Sequence, residues 1–508
     1  MKKYISKPAA LIKFMLLAVF AVSFIAACGY DDVNEEKAKA IADYYAEDSV
    51  AGSALIEAET LKSYIDDGYV TPDGKKVLIL FASDNSSTIN DVGKSIAGAY
   101  PLPVNEVFFG SRSDGPVVDG AMVVDGAGMD KVIREYGIDA NTLIVITGNK
   151  YTNDGKGQFV ARAFWTFKYW GFSNKQVKVL NGLDFYFQQY LNTNFSTEFD
   201  KYYTTFRYGM PQPSTFSVKE LPGQQMDSYR APIGEVLGYA ATGALKADGT
   251  GSAVVVSTMN ASVPVYKPSM TTPETYVIGN TRLIEGRING ATQLALSANT
   301  DGTYNNGWDQ YIDSNTGRFK TPEQITELMQ GLANDTTERL PFLQNVDKNK
   351  RMLFHCVTGR TTAPHWFIAR EILGYTNAAI YDGSWQEWTN LAGFVPTNLT
   401  DTFVNQTGVS VTDYLSWNGS EFVKTDGTKA SVDYSPKMRN LNWDTSRYTK
   451  FLTMAPATNS NTYDNEYAGD GREINTEDKN YQSGAGDAST GGSTGGAATG
   501  GGSAPAGC

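Results

Sequence analysis

Two stretches of this chain end in the same way, and that repeat limits what it can fold into. FWTFKYWGFSNKQVKVLNGLDFY (164–186) and HWFIAREILGYTNAAIYDGSWQEW (365–388) share one order: aromatic-rich helix, Gly-Phe or Gly-Tyr, polar turn, apolar strand, then Asn-Gly or Asp-Gly. Upstream of each, compact apolar runs alternate with amphipathic segments. KKVLILF, NTLIVIT and KQVKVLNG read as buried strands in the first half, and SAVVVST, KRMLFHC and NAAIYDGS in the second. Helical periodicity lies between them, in MDKVIREYGID, FVARAFWTFKYWGF, TPEQITELMQGLAND and APHWFIAREILGY. Strands alternating with helices predict a mostly parallel α/β sheet flanked by helices, and the repeat predicts two of them. The units are 54–190 and 225–392, with 191–224 as linker. The aromatic helix in the first unit reads as core.

The remaining segments follow from composition. A length of 508 residues, 41% of them hydrophobic and 19% charged, suits two or three domains with their own cores. A net charge of -12 without a basic cluster argues against nucleic acid as a partner. Lys2 and Lys3 precede an apolar run, Leu11 to Ala27, that ends Ile25-Ala26-Ala27-Cys28, the pattern of a secretory signal over 1–27. A Cys directly after small residues resembles the lipobox of bacterial lipoproteins. That resemblance implies lipid on Cys28 and a membrane tether in the cell envelope, facing the periplasm or the exterior. Gly29 in place of Asp favours the outer membrane. No later apolar run is long enough to span a bilayer. Residues 28–53 read as a spacer or short helix, 393–455 as a turn-rich extension with short strands, and 456–508 as a Gly/Ser-rich disordered tail.

Cysteine usage singles out one position. Cys28 is taken up by lipid and Cys508 ends the chain, so Cys356 is the only thiol of the folded body. It stands in HCVTGRTTAPHW, which also holds both histidines, His355 and His365. The residue follows a buried strand and precedes a helix with Pro364 in its first turn, and ligands gather at such strand ends. Val357, Thr358, Gly359, Arg360 and Thr361 form a loop able to curl around the sulfur. Its backbone N–H groups make an anion nest, the helix start adds positive potential and Arg360 adds a permanent charge; all favour a thiolate. Two histidines and one Cys do not make a metal site, and no cofactor is expected. His365 reads as a structural helix residue. His355 either tunes the thiol or points to the opposite face of its strand.

The same residues carry a family resemblance. Cys356, Gly359 and Thr361 match the Cys-x-x-Gly-x-Thr loop of rhodaneses. Tyr381-Asp382-Gly383-Ser384-Trp385-Gln386-Glu387-Trp388 resembles the signature of two-domain rhodaneses and mercaptopyruvate sulfurtransferases, and GRFKTPEQITELM (317–329) is similar to a segment those enzymes carry before their active loop. The resemblance covers roughly 225–392 and, through the repeat, 54–190. It implies two tandem rhodanese-like domains, of which the first lacks the cysteine. Departures are visible: the family's Asp-x-Arg falls near Ser257-Thr258-Met259, and its GHIPGA turn reads Gly286-Arg287-Ile288-Asn289-Gly290-Ala291, where Arg287 is a candidate anion holder. A phosphatase would place Arg where this chain has Thr362.

The resemblance implies a sulfurtransferase. Cys356 would take a sulfane sulfur from thiosulfate, mercaptopyruvate or a persulfide and pass it to a thiol, cyanide or a protein acceptor. The alternative is a rhodanese-fold lipoprotein with little or no turnover, serving an envelope complex that handles redox chemistry or chalcogen oxyanions. A phosphatase or arsenate reductase comes third.

Overall fold

A computed structural model describes residues 35–114, 119–149, 157–241 (apart from 208 and 210), 251–258, 276–278, 281–283, 292–293, 308–329, 346–387, 416–417, 422–423 and 471–485. The first half builds a sheet from β1 (Leu55–Ile56), β2 (Lys76–Ser83), β3 (Tyr100–Pro103), β4 (Thr142–Thr147) and β5 (Val177–Leu180). Their order is β1-β5-β4-β2-β3, with every pairing parallel. The second half uses β6 (Arg230–Ala231), β7 (Ala253–Ser257), β8 (Thr292–Gln293), β9 (Arg351–His355) and β10 (Ala378–Tyr381). These lie in the order β6-β10-β9-β7-β8, again all parallel. The two orders are the same permutation. The α/β class expected from the alternating pattern is the class observed. Strands such as Val254-Val255-Val256 are apolar on both faces because each sheet is covered on both sides.

The repeat reaches backbone detail. After β5, Leu183 adopts a left-handed φ of 57°, and after β10, Ser384 does the same at 53°. Non-glycine residues rarely accept this region. The next amide bonds back to the residue following the central strand: Asp184 to the Gly148 carbonyl at 3.3 Å, Trp385 to the Cys356 carbonyl at 3.0 Å. Gly148 therefore stands where the second half has Cys356. A Cβ there would lie 2.7 Å from Val160 Cγ2 and 2.8 Å from the Ala82 carbonyl, so the first half has no room for a cysteine at that point.

The aromatic helix Gln158–Tyr169 is buried along its whole length, as its composition implies. It packs against the matching helix of the other half, Ala363–Phe367. Phe164 meets Phe367 edge-on at 5.2 Å, and Trp165 Nε1 donates to the Tyr229 carbonyl at 2.8 Å. One apolar core runs through both halves. The helix Ala363–Phe367 continues as a π-helical turn over Ile368–Ile372.

The spacer expected over 28–53 is packed on the body where it is described. Asp48 Oδ2 lies 2.5 Å from Nζ of the buried Lys168, and the Gly52 amide donates to the Glu371 carbonyl. Cys28, the signal segment, Arg287 and Cys508 lie outside the described residues. Of the extension over 393–455, the paired strands Ser416–Trp417 and Phe422–Val423 are described. No described helix is long and apolar enough to cross a membrane.

The tail departs from expectation. Residues 456–508 read as disordered, but Glu473–Ser483 is a helix docked on the first half and on the start of the second. Asp478 accepts from Arg112 at 2.6 and 2.8 Å and from the Tyr169 hydroxyl at 2.5 Å. Ile474 is buried, and Gln482 Nε2 donates to the Trp170 carbonyl. Tyr481 lies on Gly126, where a Cβ would collide with its ring. The average composition of the tail conceals one stretch that has enough apolar and pairable groups to offset its ordering. Removing one partner of a buried pair strands the other charge, so Asp478→Ala should cost about 3 kcal/mol. Urea unfolding measures this, and an unchanged midpoint would show that the helix does not dock.

Candidate active site around Cys356

The central strand β9 delivers Cys356 to the carboxyl edge of the second sheet. Two bonds from the turn after β10 fix the loop base: Trp385 N–H to the Cys356 carbonyl, and Gln386 N–H to the Val357 carbonyl at 2.9 Å. Gly359 has a φ of 71°, and a Cβ there would sit 2.6 Å from the Asp382 carbonyl and 3.2 Å from Arg162 Nη1. Glycine is required by conformation and by space. The loop closes on Ala363, whose amide donates to the Arg360 carbonyl.

The loop is rich in donors. Among the described residues, no amide from Val357 to Thr362 donates to a backbone carbonyl. The buried hydroxyls of Thr361 and Thr362 and Nε of Arg360 also have no hydrogen-bond partner there. Buried donors are normally satisfied, so unpaired ones gathered in the loop that follows the cysteine suit an anion. Cys356 itself is fully buried. Arg360 is half-buried, with its guanidinium 5.7 Å from the centre of the Phe159 ring.

Behind the loop lies a buried charge cluster that sequence reasoning missed. Asp382 Oδ1 pairs with Arg162 Nη1 at 2.6 Å, and Oδ2 pairs with Arg230 Nε at 3.2 Å and accepts the Val123 amide at 2.7 Å. Burial alone would raise the Asp382 carboxyl, but Arg162 and Arg230 outweigh it and hold the group below its usual range. Arg230 also meets Asp114 at 2.7 Å and Asn475 at 2.9 Å. Burial pushes Asp119 up to about 7, and it pushes Glu387 well above the carboxylate range, with Asp114 adding to it. The available signal was a charge in a helix that otherwise reads as core: Arg162 in FVARAFW must be paired.

The remaining candidates have plain places. His365 Nδ1 lies 2.9 Å from the Tyr311 hydroxyl, a structural contact. His355 Nδ1 is 3.1 Å from the Cys356 carbonyl, and burial pushes its imidazole down to about 4, so it is neutral near pH 7. Ser257 and Thr258, where the Asp-x-Arg would fall, hold no charge; Thr258 N–H donates to the His355 carbonyl. Among the described residues, no group of three His, Cys, Asp or Glu could hold a metal ion.

Gly359→Ala tests the loop geometry. A left-handed alanine costs roughly 1–2 kcal/mol, and the Cβ must also displace Asp382 or Arg162. The variant should unfold at lower urea concentration and react more slowly at Cys356. Wild-type behaviour in both measurements would contradict the geometry.

Comparison with known proteins bears on the segment that holds the Cys356 loop. The rhodanese-like domain family matches residues 281–391, the segment that contains the Cys356 loop. The sulfur carrier protein TtuD of Thermus thermophilus is 27% identical over 268 residues, covering 52% of this chain and 73% of that protein. A Haloferax volcanii protein provisionally named a thiosulfate sulfurtransferase is 25% identical over 274 residues, covering 52% and 72%. Among solved structures, an anaerobic ergothioneine biosynthesis enzyme from Chlorobium limicola aligns at 17% identity and a TM-score of 0.45, over 66% of this chain and 68% of that one, a likeness too loose to bear on the fold. The family match falls on the cysteine loop and the relatives extend over half the chain, so residues 281–391 form a rhodanese-like domain in a chain similar to sulfurtransferases of that family.

Proposed function

We propose that the protein is a tandem rhodanese that carries sulfane sulfur on Cys356, its first domain being the one without a cysteine. The observation that carries this reading is the run of unpaired donors in the loop that follows the Cys356 thiol. The Cys356 thiolate attacks the outer sulfur of a donor such as thiosulfate. An S–S bond forms to Cys356 as the donor bond breaks, and sulfite leaves with the electron pair. The persulfide charge is stabilised by the loop amides and by nearby guanidinium groups. An acceptor thiolate or cyanide then attacks the outer sulfur and restores the Cys356 thiolate, as in thiol–disulfide exchange. Mercaptopyruvate or a persulfide would serve as donor by the same attack, with the pyruvate enolate, which then takes a proton from solvent, or a thiolate departing.

The site requires a movement before reaction, because Cys356 and Arg162 are both fully buried. That burial, with the uncharged Ser257-Thr258, favours a second reading: an envelope component that binds or relays sulfur or selenium without efficient turnover. In either case the lipobox-like sequence at Cys28 supports a lipid-anchored protein of the cell envelope, the outer membrane before the inner, with a protein acceptor or complex at the membrane surface.

The two readings separate by intact mass. Protein incubated with thiosulfate or mercaptopyruvate should gain one sulfur, lose it to cyanide, and gain none as Cys356→Ser. No gain with any donor, in folded protein whose Cys356 titrates, would refute sulfur transfer; retention of envelope partners by Cys356→Ser would then support the binding reading.

A further inference from the structure

We infer that Arg162, supplied by the half that has no cysteine, is the residue that binds the anionic end of the sulfur donor at the Cys356 loop. This rests on the sulfurtransferase reading and adds to it the source of the cation. Ser257 and Thr258 carry no charge, and Arg360 is half-buried with its guanidinium near Phe159. Arg162 is fully buried. Its Nη1 lies 3.3 Å from the Gly359 carbonyl and 2.6 Å from Asp382 Oδ1. The guanidinium is held between rings, 4.3 Å from the centre of Trp165 and 4.6 Å from that of Phe109. Its position is therefore fixed from both halves.

Two features distinguish it from its neighbour Arg230. Arg230 meets Asp114, Asp382 and Asn475, so its donors are well occupied. Arg162 reaches Asp382 and the Gly359 carbonyl through Nη1 alone, and its Nε and Nη2 are buried without a hydrogen-bond partner among the described residues. Burial lowers the Arg162 guanidinium from its usual range; Asp382 and Cys356 act against that, and Arg230 adds to it. Two guanidinium groups thus share Asp382, and of the two only Arg230 has a second carboxylate, Asp114, among the described residues. A planar fork with free donors beside an anion nest has the geometry that binds an oxyanion or carboxylate in bidentate fashion. The same fork would accept the thiosulfate sulfonate or the mercaptopyruvate carboxylate, and testing both donors tells them apart.

The test uses full-length protein as wild type, Arg162→Met, Arg162→Lys and Cys356→Ser. Two quantities are measured: the donor concentration for half-maximal sulfur loading, and the pH midpoint of Cys356 thiolate absorbance relative to Cys356→Ser. Arg162→Met should require at least about tenfold more donor, a change of one decade in affinity. Its thiolate midpoint should rise by about one pH unit, with Arg162→Lys restoring most of the midpoint and little of the donor affinity. A merely structural residue would lower stability and leave both midpoints in place. Unchanged values in folded Arg162→Met overturn the inference; if that variant does not fold, an unchanged donor requirement in Arg162→Lys does so. If wild type loads no sulfur, the sulfur-transfer reading fails separately, and the thiolate midpoint alone decides whether Arg162 acts on the thiol: a rise supports this, and none overturns it.

Discussion

The carboxylate of Asp382 is the contact on which the site depends. It follows the last strand of the second sheet, yet most of its partners come from elsewhere: Arg162 and the Val123 amide from the first half, and Arg230 from the start of the second. Its own backbone carbonyl closes on Gly359, so the turn that holds the carboxylate also sets the width of the Cys356 loop. Two guanidinium groups buried without Asp382 would each lose a compensating charge, a penalty of several kcal/mol apiece. The two halves are therefore joined by charge as well as by the packing of Phe164 on Phe367. The first half is a structural wall of the site even though Gly148 occupies the place of its cysteine.

Around Asp382 the balance of charge is set by desolvation. Burial raises Asp119 to about 7 and pushes Glu387 well above the carboxylate range, whereas Asp382 is held below its usual range by its two arginines. The C-terminal helix adds to the same cluster. Asn475 accepts from Arg230, and the Ile474 amide donates to Asp114, so a segment far along the chain helps to hold the arginine that flanks Asp382.

Much of this was legible in sequence because it depends on local pattern. Buried parallel strands are short apolar runs, and the repeat in order and turn chemistry corresponds to two sheets of one topology. The Cys356 loop was legible for a similar reason: a Cys at a strand end, a glycine three residues on and a helix start are all close in sequence. Arg162 and Asp382 are 220 residues apart, and no local rule pairs them. The helix Glu473–Ser483 was hidden by its flanks, since a composition averaged over Gly and Ser obscures Ile474, Asp478 and Tyr481. Both misses had a partial signal in a polar group that could be buried only if paired.

The most direct test of the account is a crystal structure of the protein after incubation with thiosulfate. The account predicts a second sulfur on Cys356, turned toward the amides of Val357 to Thr361 and toward the free edge of the Arg162 guanidinium, with Asp382 still between the two arginines. An unmodified Cys356, or a persulfide turned away from Arg162 with the loop amides bonded elsewhere, would contradict it.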